Sequence, residues 1–260
     1  MLERRAPEPD AQAIAAFYGT RTGAIARRIL LSRLKRVWPQ LGGYRLLGFG
    51  FTTPFLAALG AERAIAAAPQ AMGALRWPEN LCTSLQCEEE ALPFADALFD
   101  RVLIVHGLER AEALRPLLRQ LWRVLAPEGR LLVVAPNRAS LWAQVDTTPF
   151  GQGRPFSRTE LDRILREAMF EPQQWQRTLY LPPFASRLLA RDGRGWERAG
   201  ALLFPALGGL HVVEAKKSIY AMTPLPVSEA VPMLAPEGVT PFSAGKSPLA
   251  PSSSVRKSRG

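Results

Sequence analysis

Residues 101–138 read RVLIVHGLERAEALRPLLRQLWRVLAPEGRLLVVAPNR, and this stretch decides the fold. Arg101 to His106 is a short, nearly continuous apolar run, the pattern of a strand buried on both faces. Glu109 to Leu125 follows with helical spacing. Ala111, Leu114, Leu118, Leu121 and Leu125 share one face, and Arg115, Arg119 and Arg123 share another. Pro127-Glu128-Gly129 turns the chain into a second apolar strand, Arg130 to Ala135. Strand, helix and parallel strand in succession predict an α/β sheet with helices on its faces.

The same alternation extends in both directions. Upstream, Tyr44 to Leu47 is predicted as a strand, followed by Gly48-Phe49-Gly50 and a helix through Leu59. Arg63 to Ala67 is a second strand, Pro69 opens a helix, and Leu81 to Ser84 is a third strand. Residues 10–38 read as helical, with Ala13, Ala16 and Phe17 as a short apolar face and Ile25, Ile29, Leu30, Leu34 and Val37 recurring beyond Gly23. Arg27, Arg28, Arg33, Lys35 and Arg36 form the outer face. Downstream, residues 136–157 form a long loop with one short helix. Ser157 and Glu160 make a capping box for the helix that follows. Strands near Gln174–Leu181 and His211–Met222 are separated by a helical insertion. Beyond Thr223 the chain is rich in Pro, Ser, Ala and Gly and is expected to be disordered. Three regions result: a helical segment 1–43 packing on the core, an α/β domain 44–222, and a basic tail 223–260.

The chain has 260 residues and a formal net charge of +10, enough length for one sizeable core. A basic surface suits acidic partners; nucleic acid is compatible with it, although no aromatic RNA-binding signature is present. Cys82 and Cys87 fit no zinc or redox spacing, so no metal site is expected. The first ten residues lack a signal-peptide core, and no apolar run reaches spanning length. A cytoplasmic protein without membrane insertion is the expectation.

Three stretches taken in order resemble the class I S-adenosylmethionine (SAM)-dependent methyltransferase family, in its type 11, ubiquinone-biosynthesis-like branch. They are RLLGFGFTTPF (45–55), EEEALPFADALFDRVLIVHGLE (88–109) and LWRVLAPEGRLLVVAPNR (121–138). The resemblance runs over roughly residues 10–222. It implies a doubly wound, mostly parallel seven-stranded sheet with an antiparallel last strand. Ligands would meet the carboxyl ends of the strands. It implies SAM as cofactor and a methyl acceptor that is a small molecule or a protein. Gly48, Phe49, Gly50 and Thr52 would form the loop against SAM, Glu88 would accept from the adenine amine, and Leu92 would flank the ring.

The fingerprint departs from the family at three places. The acid two positions before the first glycine is Leu46, the third glycine is Thr52, and the ribose-binding acid after strand two falls on Ala67 or a neighbour. Those losses keep open a catalytically silent module that binds a partner, and an RNA-binding or RNA-modifying protein. On the acceptor side, His106 is the candidate base or orienting donor, or else a histidine capping the strand end. Asn137 and Arg138 follow the next strand; Arg138 is either a carboxylate or phosphate clamp or an exposed loop residue. Phe150 and Arg154 lie on the loop Thr148 to Ser157, an acceptor lid or a connection pinned by phenylalanines. Tyr18 either closes over SAM or packs its helix.

Overall fold

The computed structural model describes residues 10–78, 80–184 and 194–218. The expected tail and the first nine residues lie outside these. The elements in order are α1 (Ala11–Gly19), α2 (Arg21–Val37), β1 (Arg45–Gly50), α3 (Thr53–Leu56), β2 (Arg63–Pro69), β3 (Ser84–Cys87) and β4 (Phe99–Val105). Then follow α4 (Leu114–Val124), β5 (Leu125–Pro136), α5 (Arg158–Glu167), β6 (Phe170–Thr178), α6 (Arg194–Leu203) and β7 (Leu210–Lys217).

The strands form one seven-stranded sheet in the order β3-β2-β1-β4-β5-β7-β6. The first five are mutually parallel, and β7 runs antiparallel between β5 and β6. Both faces are covered, so neighbouring residues on one strand enter different cores. Leu46, Leu103 and Val134 pack with α1, α2 and α3 on one face. Leu47, Val102 and Val133 pack with α4 and α5 on the other. The expected doubly wound topology with an antiparallel last strand is the observed one.

Ends of elements are fixed by specific groups. Asp10 caps α1 by accepting from the Ala13 N–H at 2.8 Å, and Thr20 caps α2 by accepting from Gly23 N–H at 3.0 Å. The Arg45 guanidinium grips Asp100 with two hydrogen bonds of 3.0 and 2.8 Å, locking the start of β1 to β4. Trp38, just past α2, donates to the buried Glu214 at 2.8 Å, and Arg130 reaches the other oxygen at 3.0 Å. This holds the α2 end against β7.

Several boundaries correct the sequence reading. Residues 10–38 are two helices, and α1 buries Ala11, Ile14 and Tyr18 while Ala13 and Ala16 face solvent. No helix follows Pro69. The chain turns at Gly73, with φ of +77°, and Met72 O accepts from the Ala11 N–H at 2.8 Å, so this segment receives α1. The third strand is Ser84–Cys87 rather than Leu81–Ser84. Helix α4 starts at Leu114, not Glu109. Pro116 explains this: a helix from Glu109 would set its ring against the carbonyl of Glu112 and remove a backbone bond, whereas in the first turn it costs neither. The capping box is half formed. Ser157 accepts from the Glu160 N–H at 3.2 Å, but the Glu160 carboxylate turns to Arg138 and Arg154.

Candidate functional site

In a doubly wound sheet the carboxyl ends of the parallel strands and the loops leaving them form the ligand edge. Here the ends of β2 and β3 and the turn after β4 enclose a cavity of about 390 Å³, lined by Pro69, Gln70, Met72, Cys87, Glu88 and Arg110 among others. That volume lies in the range of small-molecule sites, roughly 300–1,000 Å³. Its rim is acidic, with Glu88, Glu89, Glu90 and Glu112 all on the lining. Glu89 accepts from the Ala113 N–H at 3.1 Å, at the start of α4. Glu88 is exposed on the cavity wall. Burial pushes the Cys87 thiol up to about 11, so it is protonated at neutral pH.

Directly beside this cavity the strand ends are closed by side chains. Tyr18, from α1, donates to or accepts from His106 Nε2 at 2.8 Å, and His106 Nδ1 lies 3.2 Å from Glu109 Oε1. All three are nearly inaccessible to solvent. His106 takes a left-handed φ of +54°, the conformation that swings its ring off the end of β4 toward α1. Burial dominates its titration and lowers its pKa below the ordinary value, although Glu109 pulls the other way. The ring is therefore neutral at pH 7. The same burial, with the Glu109 charge, raises the Tyr18 hydroxyl well above its usual range.

Aromatic rings complete the plug. Tyr18 stacks on Phe51 with centroids 5.9 Å apart, and His106 lies 4.6 Å from Phe150. Trp142 meets Phe150 edge to face at 5.6 Å and donates to Leu181 O at 2.6 Å. Sequence reasoning singled out Tyr18, His106 and Phe150 separately; the structure brings them into one cluster. It missed Glu109, whose position three residues after His106 was the available signal, and it missed Met72, Arg110 and Glu112 around the cavity.

The glycines have occupants of their own. A Cβ on Gly48 would lie 2.2 Å from Thr52 Oγ1, and one on Gly50 would lie 2.4 Å from Val105 O. Gly50 also has φ of +85°. Gly48 is thus required by the packing of the turn and α3 on β1, and Gly50 by the packing of the ends of β1 and β4 on each other. On the β2 side of Gly50 the open space is about 10 Å³. Phe49 and Leu92 are buried in the core, away from the cavity. Thr52 is fully buried, with its hydroxyl oxygen lacking a hydrogen-bond partner.

The remaining candidates are held elsewhere. Asn137 is buried and donates to Ala206 O at 2.9 Å and Gly208 O at 2.8 Å, tying the end of β5 to the segment before β7. Arg138 is turned outward, to Glu160 at 2.7 Å and Pro155 O at 3.1 Å. Arg154 shares Glu160 and lies over the Phe156 ring at 5.5 Å. The loop itself packs on the turn after β4: Arg154 N–H donates to Glu109 O at 2.8 Å.

Tested against SAM, these residues divide. The cavity beside Glu88 has a small-molecule volume and a carboxylate on its wall. Strand two supplies no ribose carboxylate, since its last residues are Ala67, Ala68 and Pro69. The glycine cradles are filled by the chain's own atoms.

The sheet order is that of a class I methyltransferase fold. Residues 47–133 match the family described as a methyltransferase domain, of type 11. A 50-residue stretch is 48% identical to the ubiquinone/menaquinone biosynthesis C-methyltransferase UbiE of Klebsiella pneumoniae, covering 19% of this chain and 20% of that protein. The chain thus aligns with about a fifth of the length of that relative. A SAM-dependent methyltransferase from Thermotoga maritima, described as a possible histamine N-methyltransferase, superposes with a TM-score of 0.56 at 20% identity, covering 78% of this chain and 94% of that one. A geranyl diphosphate methyltransferase solved with SAM superposes with a TM-score of 0.53 at 15% identity, covering 82% and 98%. At those identities the likeness is one of fold.

Proposed function

We propose that the chain is a SAM-dependent methyltransferase of an acceptor yet to be identified, holding the adenosine end of SAM in the cavity lined by Glu88. The observation that carries this reading is the cavity's place: a small-molecule volume at the carboxyl ends of β2 and β3, inside the matched methyltransferase segment. Glu88 would accept from the adenine amine. The cofactor supplies an electrophilic methyl group, whose transfer runs largely on proximity and orientation. A neutral His106 held between Tyr18 and Glu109 is then an orienting group and a proton acceptor. Photo-crosslinking with SAM tests the placement. Label is expected on peptides carrying residues 69–72, 87–90 or 110–113; label confined to other peptides would refute it.

A second reading, a silent methyltransferase fold used as a binding module, is favoured by the filled glycine cradles and the aromatic plug. It is distinguished by the absence of SAM binding. Under it SAM does not bind, and removing the plug through Tyr18→Ala does not create binding.

A further inference from the structure

The segment Ala201-Leu-Leu-Phe-Pro-Ala-Leu207, running from the end of α6, is exposed at every residue. Leu202 is 81% exposed, Leu203 66%, Phe204 58% and Leu207 51%. About two turns before Leu203, Trp196 is 46% exposed. Burying these side chains would be favourable, and leaving them in water together is unusual for a folded surface. On one flank of α6 lies an apolar cavity of about 340 Å³, lined by Trp142, Tyr180, Trp196, Leu203 and Phe204 among others. On the other flank, between α6 and α2, lies an open cavity of about 700 Å³ whose lining includes Arg28, Arg33, Arg36 and Arg198.

The charge on that second flank is lopsided. Glu197 is the one acid on its lining, and its carboxylate is occupied by the Thr178 hydroxyl at 3.1 Å and the Leu179 and Tyr180 N–H groups at 3.1 and 2.6 Å. Arg33 is partly buried beside Arg36, and burial followed by that neighbouring charge lowers its pKa. Arg36 and Arg198 stand exposed at this opening, and the exposed apolar ridge lies beside them. A ridge of Leu, Phe and Trp flanked by arginines matches the chemistry of an anionic bilayer surface. A partner surface that is acidic alone would satisfy the arginines and leave the ridge wet. An uncharged apolar partner would do the reverse.

We propose that the α6 ridge with the arginines of α2 and α6 is a docking surface for an anionic phospholipid bilayer, on which the chain sits without crossing it. Among the described residues no helix is long and apolar enough to cross a membrane. The insertion is therefore by side chains from one face.

The test is co-sedimentation of the full chain with vesicles of phosphatidylcholine alone, and of phosphatidylcholine with an equal part of phosphatidylglycerol. The chain is expected to pellet with the anionic vesicles and stay in solution with the neutral ones. A Leu202→Glu, Phe204→Glu double variant should bind at least about tenfold more weakly, and Arg36→Ala with Arg198→Ala should weaken binding and reduce its salt dependence. All four side chains are exposed or lie on an open cavity, so melting temperatures should be unchanged and serve as the folding control. Equal pelleting of wild type and the double glutamate variant would place any binding elsewhere, for example in the basic tail, and overturn the proposal. Failure to pellet with anionic vesicles would also overturn it. So would a dimer that the double variant dissociates, which would make the occupant a second copy of the chain.

Discussion

Gly50 combines a left-handed backbone with a close approach to the end of β4. An alanine there needs a left-handed backbone and would press its Cβ to 2.4 Å from Val105 O. Steric overpacking and the unfavourable φ together cost about 3 kcal/mol or more. Gly50→Ala should therefore lower the denaturant midpoint sharply or prevent soluble expression. A variant of wild-type stability would show that β1 and β4 can separate. Tyr18 makes a gentler probe. Tyr18→Phe keeps the rings stacked but leaves His106 Nε2 buried without its partner, a loss of about 1–3 kcal/mol. Chemical denaturation reads it; an unchanged stability would mean the hydrogen bond is not formed in solution. Of this cluster, the sequence offered the members but not the meeting. Residues 18, 106 and 150 are far apart in the chain, and only the docking of α1 on the turn after β4 joins them.

Among elements, the acidic and Leu-Pro-Phe run before β4 is held by one side chain on α4. Arg123 donates to Leu92 O at 2.9 Å, Phe94 O at 2.7 Å and the Asp96 carboxylate at 2.6 Å, and its own carbonyl accepts from Ala97 N–H at 3.0 Å. Arg123→Ala strands two carbonyls and should cost about 1–3 kcal/mol. Hydrogen exchange should quicken across residues 92–97 while β4 stays protected; unaltered exchange there would remove the clamp from the account. The strands of the parallel sheet were legible because burial on both faces writes them as continuous apolar runs. The region after Pro69 was misread because Ala, Met and Leu favour a helix locally. Gly73 and the Trp77-Pro78 pair break the helix, Pro78 driving its predecessor away from helical angles. The glycine pattern was legible as a turn, but its purpose was not: nothing in the sequence says that Thr52 fills the space beside Gly48.

For the molecule as a whole, both histidines of the chain are buried and neutral. Burial lowers His106, and burial, then Arg177, pushes His211 down to about 4. Their folded pKa values lie below the ordinary 6.5, so the unfolded chain takes up the protons first. Their contribution to stability is complete above about pH 7 and is lost as pH falls through 6.5 toward the folded values. For His211 alone that is up to about 3 kcal/mol, at about 1.4 kcal/mol per unit. The melting temperature should fall between pH 7 and pH 5, and His211→Phe should flatten that fall. A pH-independent melting temperature over this interval would show that the histidines are solvated.

The architecture and the matched segment place the chain among methyltransferase folds, and in the proposed function the cavity by Glu88 holds SAM. Calorimetric titration of the full chain with SAM and with S-adenosylhomocysteine tests this most directly. Both ligands are predicted to bind at one site per chain, and Glu88→Gln to weaken both about tenfold through loss of a charge-assisted hydrogen bond. Absence of binding by either ligand at millimolar concentration would contradict the claim and leave the fold as a silent module.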